Sequence, residues 1–301
     1  MEFLHMLENI RFPLLDKLML AVTHLGSETA FLVIAIIVFW CIDKRKGYYI
    51  LSVGFIGTMA NQFLKLWFRI PRPWVLDPTL NPLAQAVPDA TGYSFPSGHT
   101  QSSVATFGGL AYTMKSKFIK VVCLIIAVLV PFSRMYVGVH TPMDVGVSVI
   151  IAVALIFLVK PFVFRKNGKL FPILIVLMTA MAIGYMSFIH LYDFPADVDA
   201  ERLGSGINSG YTMMGCLVGL LVMYIIDEKW LHFPVKGAWW AQILKVVIGL
   251  ALILAIKSGL KTPLNALFGE HIGRSVRYFL MVIMAGVIWP LSFKLFAKTK
   301  R

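Results

Sequence analysis

Three clusters of polar residues interrupt an otherwise apolar chain. The first runs Lys65-Leu-Trp-Phe-Arg69-Ile-Pro-Arg72-Pro73, the second is Pro96-Ser97-Gly98-His99, and the third comprises Ser133-Arg134, His140 and Asp144. Together they hold what a phosphate site needs. A phosphate ester brings negative charge and several acceptor oxygens; Arg meets such oxygens in pairs, and Lys acts as a point charge. Lys65, Arg72 and Arg134 would supply three cations. Pro73 limits helix continuation past Arg72 and would present that side chain from a fixed loop. His140 and Asp144 suit a nucleophile and its orienter. One imidazole nitrogen can attack phosphorus while a carboxylate on the other N–H sets the tautomer and stabilises the cation that forms. His99 is then free to protonate a leaving alkoxide as general acid.

These residues need elements to aim them. Pro96-Ser97-Gly98-His99-Thr100 leads from a loop into a helix, whose first N–H groups and positive dipole end favour an anion. Ser97 would cap that helix or donate to a phosphate oxygen, and Gly98 would let the backbone approach a ligand closely. Thr141-Pro142-Met143-Asp144 reads as a helix start, with Thr141 as N-cap, Pro142 at the first helical position and Asp144 at the third. His140 then sits just ahead of the helix, about one turn from Asp144. Taken singly, each of these residues has a plainer reading. A lone Lys or Arg near a membrane is usually an interfacial anchor, a lone Ser or Asp before a helix is a cap, and a lone His is a hydrogen-bonded surface residue. Arg69, His5, His24, His190, His232 and His271 keep that plainer reading. The three clusters read together do not.

The solvent that positions these elements is lipid. Hydrophobic residues make up 58% of the 301 residues and charged residues 14%, against roughly half and a quarter in soluble domains; the mean hydropathy is +0.77. Spans of about 20 apolar residues are expected near 26–42, 48–66, 98–115, 119–134, 144–162, 170–190, 210–226, 242–258 and 277–296. The third is the weakest because it opens with polar residues. Residues 1–25 carry too many charges for a signal peptide and read as an amphipathic segment at the interface, with a short extra span as the alternative. Residues 191–209 form an outer loop, and Gly215 and Gly219 give a G-x-x-x-G pattern for close helix packing. The expected fold is all-α, a polytopic transmembrane helical bundle. It has a core of six spans over 26–190 and a three-span C-terminal extension over 210–301.

The net charge of +13 would suggest nucleic acid in a soluble protein. Here the basic residues gather in loops on one side of the expected spans. Residues 43–47, 115–120, 160–169, 227–245 and the C-terminal tail hold 17 of the 28 Lys and Arg, which places them in the cytoplasm. The three clusters and the N-terminus then lie outside, at the cell membrane, and the C-terminus inside. Cys41, Cys123 and Cys216 are scattered in apolar runs, which excludes a disulfide scaffold and a zinc pattern.

The clusters match K-x6-R-P, P-S-G-H and S-R-x5-H-x3-D without departure, and the chain resembles the type 2 phosphatidic acid phosphatase superfamily. The resemblance implies a phosphohistidine on His140, acid catalysis by His99, and phosphate binding by Lys65, Arg72, Ser97, Gly98 and Arg134, beside the orienting role read for Asp144 from its spacing. It implies no metal and no cofactor, consistent with the absence of an Asp/Glu group suited to Mg²⁺. The last three spans lie outside it. The expected function is an integral membrane lipid phosphatase or diphosphatase acting at the outer leaflet. Its substrate would be a prenyl diphosphate, phosphatidate, phosphatidylglycerol phosphate or related lipid. The partners are that substrate and the bilayer, not nucleic acid. A phosphotransferase passing the phosphate to an alcohol is the near alternative. A transporter or scaffold with a silent site is the distant one, and it has no need of both His99 and His140.

Overall fold

A computed structural model of the chain describes residues 1–165, 170–196 and 198–297. Asp197 in the expected outer loop, and Lys166, Lys169, Lys298, Lys300 and Arg301 among the topology charges, lie outside the described residues. In chain order the helices are α1 (Glu2–Asn9), α2 (Pro13–His24), α3 (Glu28–Ile37), α4 (Lys44–Phe68), α5 (Pro73–Leu76), α6 (Gly98–Ser103), α7 (Gly109–Thr113), α8 (Lys117–Tyr136), α9 (Pro142–Phe164), α10 (Leu170–Leu191), α11 (Ala200–Ile226), α12 (Trp239–Gly259), α13 (Lys261–Ile283), α14 (Trp289–Leu291) and α15 (Phe293–Ala297). Single π turns continue α3, α6, α11 and α13. The protein is an all-helical, polytopic membrane fold with a C-terminal transmembrane extension.

Among the described residues, six helices are long and apolar enough to cross a membrane, and a seventh span results if α2 and α3, bent by 56° at a short break, count as one. α4 and the segment from α6 to α7 fall outside that set, for physical reasons. α4 opens on Lys44-Arg45-Lys46 and carries Asn61, Gln62 and Lys65. The α6–α7 segment covers 16 residues, about 24 Å of helix, short of the ~30 Å hydrocarbon thickness. Most of its side chains are buried in protein rather than offered to lipid.

The chain divides into two compact units. The first comprises residues 1–34, 49–161 and 194–206, and the second 35–48, 162–193 and 207–301. Every residue of the three polar clusters belongs to the first. There α8 is the central element, packed against α1, α2, α6 and α7. Residues 1–25 form α1 and α2, with Met19 buried against Tyr136, Val137 and Val139 and Phe3, Met6, Leu14 and Leu18 exposed. Ties to the body are specific. Arg11 donates to the Tyr136 carbonyl through Nε and Nη2 at 3.0 and 2.8 Å and also reaches the Asn81 carbonyl. The Tyr136 hydroxyl donates to Asp16 at 2.7 Å.

In the second unit α12 packs on α13. α11 begins at Ala200, well before the expected span, because Asp199 caps it by accepting from the Glu201 and Arg202 N–H groups at 3.0 and 3.1 Å. The glycine-rich run expected as loop is therefore helical. Gly215 and Gly219 serve close packing: a Cβ at Gly215 would fall 2.1 Å from the Ser275 carbonyl oxygen, and one at Gly219 would fall 2.8 Å from Val282.

Candidate active site

His140 occupies the turn between α8 and α9. Thr141 and Asp144 cap α9 reciprocally. The Asp144 N–H donates to the Thr141 hydroxyl at 3.2 Å, and the Thr141 N–H donates to Asp144 Oδ2 at 2.8 Å. This capping box holds the carboxylate one turn from His140, whose Nδ1 lies 3.3 Å from the same oxygen. Ser94 donates its hydroxyl to that oxygen as well, at 2.6 Å. The Ser97 N–H donates to the Asp144 carbonyl at 3.1 Å, and the Ser94 N–H to the Ile70 carbonyl at 2.8 Å. Three loops distant in sequence are thus tied around one histidine.

Arg72 is the N-cap of α5, with Pro73 as the first helical residue, so its side chain leaves the chain from a fixed corner. The guanidinium donates to the carbonyls of Gly92, Val139 and Thr91 at 3.2, 3.1 and 2.7 Å, and Nη1 lies 3.0 Å from His140 Nε2. Arginine has only donors, so Nε2 must accept. His140 therefore holds its lone pair on Nε2 and its proton on Nδ1, facing Asp144. Burial, then the charges of Arg72, Arg134, Lys65 and His99, hold this imidazole well below its ordinary pKa and keep it neutral.

Lys65, in the last turn of α4, is buried and donates to the Tyr93 carbonyl. Arg134, in the last turn of α8, is 0% exposed and donates from Nη1 to the Thr23 hydroxyl at 2.7 Å. Its Nε and Nη2, His99 Nε2 and Asp144 Oδ1 are buried polar atoms without a protein partner. Ser97 caps α6 by accepting from the Thr100 N–H at 3.4 Å. Gly98 is exposed, and a Cβ built on it would have nothing within 4 Å, so the loop is open to a ligand there. The arrangement gives unsatisfied donors from Arg134, a neutral imidazole nitrogen, and a second imidazole. An anion with several acceptor oxygens would satisfy the donors.

All eight residues singled out from the sequence lie in this unit around His140. Arg72 differs in role from a free phosphate ligand, since three carbonyls and His140 already take its donors. Ser94, Thr23 and the backbone carbonyls that hold Lys65 and Arg72 carry no signal in the sequence. Carbonyls leave no mark in a side-chain pattern, and a buried hydroxyl far along the chain has no motif. Arg69 ends α4 with φ 50° and donates to the Leu66 carbonyl at 3.0 Å, a capping role. His5 contacts Asp77 at 2.9 Å and Glu8 at 3.4 Å, and His24 faces Asp89 at 3.8 Å with both exposed. In the second unit His190 meets the Tyr211 hydroxyl at 3.1 Å, and His271 stacks on the Tyr211 ring at 4.9 Å.

Residues 45–168 match the model of the PAP2 superfamily, and residues 211–301 match that of the PAP2 superfamily phosphatase transmembrane extension. The chain is 31% identical over 166 residues to phosphatidylglycerophosphatase B of Bacillus subtilis, covering 51% of this chain and 77% of that protein. It is 31% identical over 160 residues to undecaprenyl-diphosphatase BcrC of the same organism, covering 52% and 78% respectively. With sphingosine-1-phosphate phosphatase 1 of Mus musculus the identity is 26% over 259 residues, or 79% of this chain and 58% of the relative. No solved structure matches the chain. The matched segment contains every clustered polar residue, and with that identity over three quarters of a relative's length the chain belongs to the PAP2 superfamily.

Proposed function

We propose that this protein hydrolyses a lipid phosphate or lipid diphosphate at the outer leaflet through a phosphohistidine on His140. The observation that carries the reading is the line Arg72–His140–Asp144, with Nε2 deprotonated and Nδ1–H on the carboxylate. Nε2 attacks phosphorus as the bond to the leaving oxygen breaks, and His99, whose pKa burial and the cations around it hold down at about 2 until the phosphate charge offsets them, gives that oxygen a proton. Asp144 stabilises the imidazolium that forms. Arg134 and Lys65, with the Ser97 hydroxyl and the backbone at Gly98, take the phosphoryl oxygens, while Arg72 lets go of Nε2 and turns its Nη1 donor to the phosphate. Water then attacks the phosphohistidine, the P–N bond breaks, and His99 recovers its proton. Fixed donors aimed at developing charge supply much of the rate enhancement in such catalysis.

The three cations balance the phosphate charge without a metal. The relatives' names support a lipid phosphate as substrate, whether a glycerophospholipid, a prenyl diphosphate or a sphingoid base phosphate. The loop charges support a site on the outer side and a cytoplasmic C-terminus. The test is phosphate release by the purified protein, in EDTA, from a panel of phosphatidate, phosphatidylglycerol phosphate, undecaprenyl diphosphate and sphingosine 1-phosphate. Release from at least one is expected. Inactivity on all four with and without Mg²⁺ would defeat the proposal, and activity only with Mg²⁺ would defeat its metal-free form.

A further inference from the structure

One to two turns along α4 from Lys65 lies a second polar region that the proposed mechanism does not use. On α4, Gly57, Asn61 and Lys65 are spaced by four residues and share one face. Asn61 is 3% exposed, and neither its amide oxygen nor its amide nitrogen has a protein partner. Gln101, on α6 two residues beyond His99, is 2% exposed, and both polar atoms of its amide are equally unpartnered. The two belong together. The Gln101 amide lies directly on Gly57, where a Cβ would come 2.0 Å from Nε2, one helical turn from Asn61. The Thr100 hydroxyl next to Gln101 is also buried and unpartnered. Four orphaned amide atoms in a protein interior are costly, and protein cores pair such groups with one another or with water.

We propose that Asn61 and Gln101 line a pocket beside Lys65 and His99 that holds water, and that this water is the acceptor for the phosphohistidine. The proposal rests on the His140 reading above. Amides suit this occupant. Each offers a donor and an acceptor, so it can fix a water molecule by both its oxygen and its hydrogens. Neither carries charge, so neither competes with the phosphate for Lys65 or Arg134. The second half-reaction then balances within the site. The water oxygen forms a bond to phosphorus, the P–N bond breaks, and the electron pair returns to His140 Nε2. One water proton passes to His99, which had lost its own to the leaving group. Asn61 and Gln101 hold the water and exchange no proton. Oriented water makes hydrolysis the preferred fate of the phosphoenzyme over transfer to an alcohol.

The experiment is a single-turnover quench of full-length purified protein with a ³²P-labelled short-chain lipid phosphate. Alkali quenching preserves phosphohistidine, and glycerol is added or withheld as an alternative acceptor. Asn61→Leu and Gln101→Met should form phosphoenzyme within about 2-fold of the wild-type rate and break it down in water about 10-fold more slowly, the scale of a lost positioning contact. Glycerol, reaching the site from the open side at Gly98, should still take the phosphate, so the ratio of transfer to hydrolysis rises. Gly57→Ala should act like Gln101→Met, because it displaces the same amide. Asn61→Ser, still polar, should keep hydrolysis within about 3-fold. Unchanged breakdown in the Leu and Met variants, or formation and breakdown falling together, would overturn the water-pocket assignment. Wild-type protein that traps no alkali-stable label on His140 would overturn the two-step reading itself, and that result needs no variant.

Discussion

Thr23 is the most telling residue to change. It lies in α2, outside the segment that matches the family model, yet its hydroxyl accepts the 2.7 Å hydrogen bond that holds Arg134 Nη1. Thr23 is 1% exposed and Arg134 0%, so solvent offers no substitute acceptor. Thr23→Val keeps the side-chain shape and removes the acceptor. A hydrogen bond to a charged group contributes about 1.5–3 kcal/mol. If the bond serves to aim the guanidinium, that energy appears in transition-state binding as roughly a 10- to 150-fold loss of kcat/KM. Vanadate, which becomes five-coordinate at phosphoryl-transfer sites, should lose affinity by a similar factor because it would use the same contacts. Thr23→Ser restores the hydroxyl and should stay within about 3-fold of wild type, allowing for one lost methyl. The assay is lipid-phosphate hydrolysis in mixed micelles with a vanadate titration, plus a melting curve for each variant. Wild-type kinetics in Thr23→Val would refute the reasoning. So would a Thr23→Ser variant as impaired as Thr23→Val, since packing rather than the hydroxyl would then be at stake.

The other expectations are more direct. His140→Ala should abolish turnover and any trapped phosphoenzyme, measured by the same quench; near-native kcat would reject His140 as nucleophile. Arg134→Ala should cost about 10²–10³ in kcat, the scale of losing one fixed electrostatic contact, and activity of the wild type should survive EDTA. His5 and Asp77 set a pH window for the docking of α1. His5 is raised above its ordinary 6.5, first by its hydrogen bond to Asp77, so its contribution is full below 6.5 and fades as pH rises through its folded value. Asp77 is lowered from 3.8 to about 2, first by the Thr79 hydroxyl and then by His5, so its contribution is present above 3.8 and lost as pH falls toward 2. Proteolysis at the α1–α2 junction should therefore be slowest between pH ~4 and ~6.5, and His5→Ala should flatten that profile.

Sequence patterns revealed the parts of the site that are side chains at fixed spacing. The Thr141–Asp144 capping box and the Pro73 corner are local, so three or four residues specify them. Ser94 was not legible because its partner, Asp144, lies fifty residues away and a hydroxyl in a loop has no periodicity. Arg72 was legible as a cation but not as a clamp on His140, since its anchors are carbonyls contributed by Thr91, Gly92 and Val139. Element ends were less accessible than element types. The glycines after Asp199 suggest loop, yet the Asp199 cap and packing against a neighbouring helix keep that run helical. The compact units cut across the expected boundary, placing residues 35–48 and 162–193 with the extension. Such a division follows from packing of whole helices, which hydropathy alone does not encode.

The local environments of two buried cations, Lys65 and Arg134, explain how positive charge can wait in this site. Lys65 and Arg134 occupy the last turns of α4 and α8. Carbonyls accumulate at a helix C-terminus and give it negative character, which favours a cation before any phosphate arrives. Lys65 also has the Tyr93 carbonyl, and Arg134 the Thr23 hydroxyl. Asp144 is the one carboxylate among these residues, and its Oδ2 is fully engaged by Ser94, Thr141 and His140. It serves the imidazole rather than quenching the cations. Helix ends thus stabilise the charges at rest, and the open donors of Arg134 remain for the ligand. A carboxylate paired to each arginine would have stabilised the empty site more and left less attraction for phosphate. Dispersing the compensation over carbonyls, a hydroxyl and helix termini keeps the site positive at a tolerable cost, as the proposed phosphate binding requires.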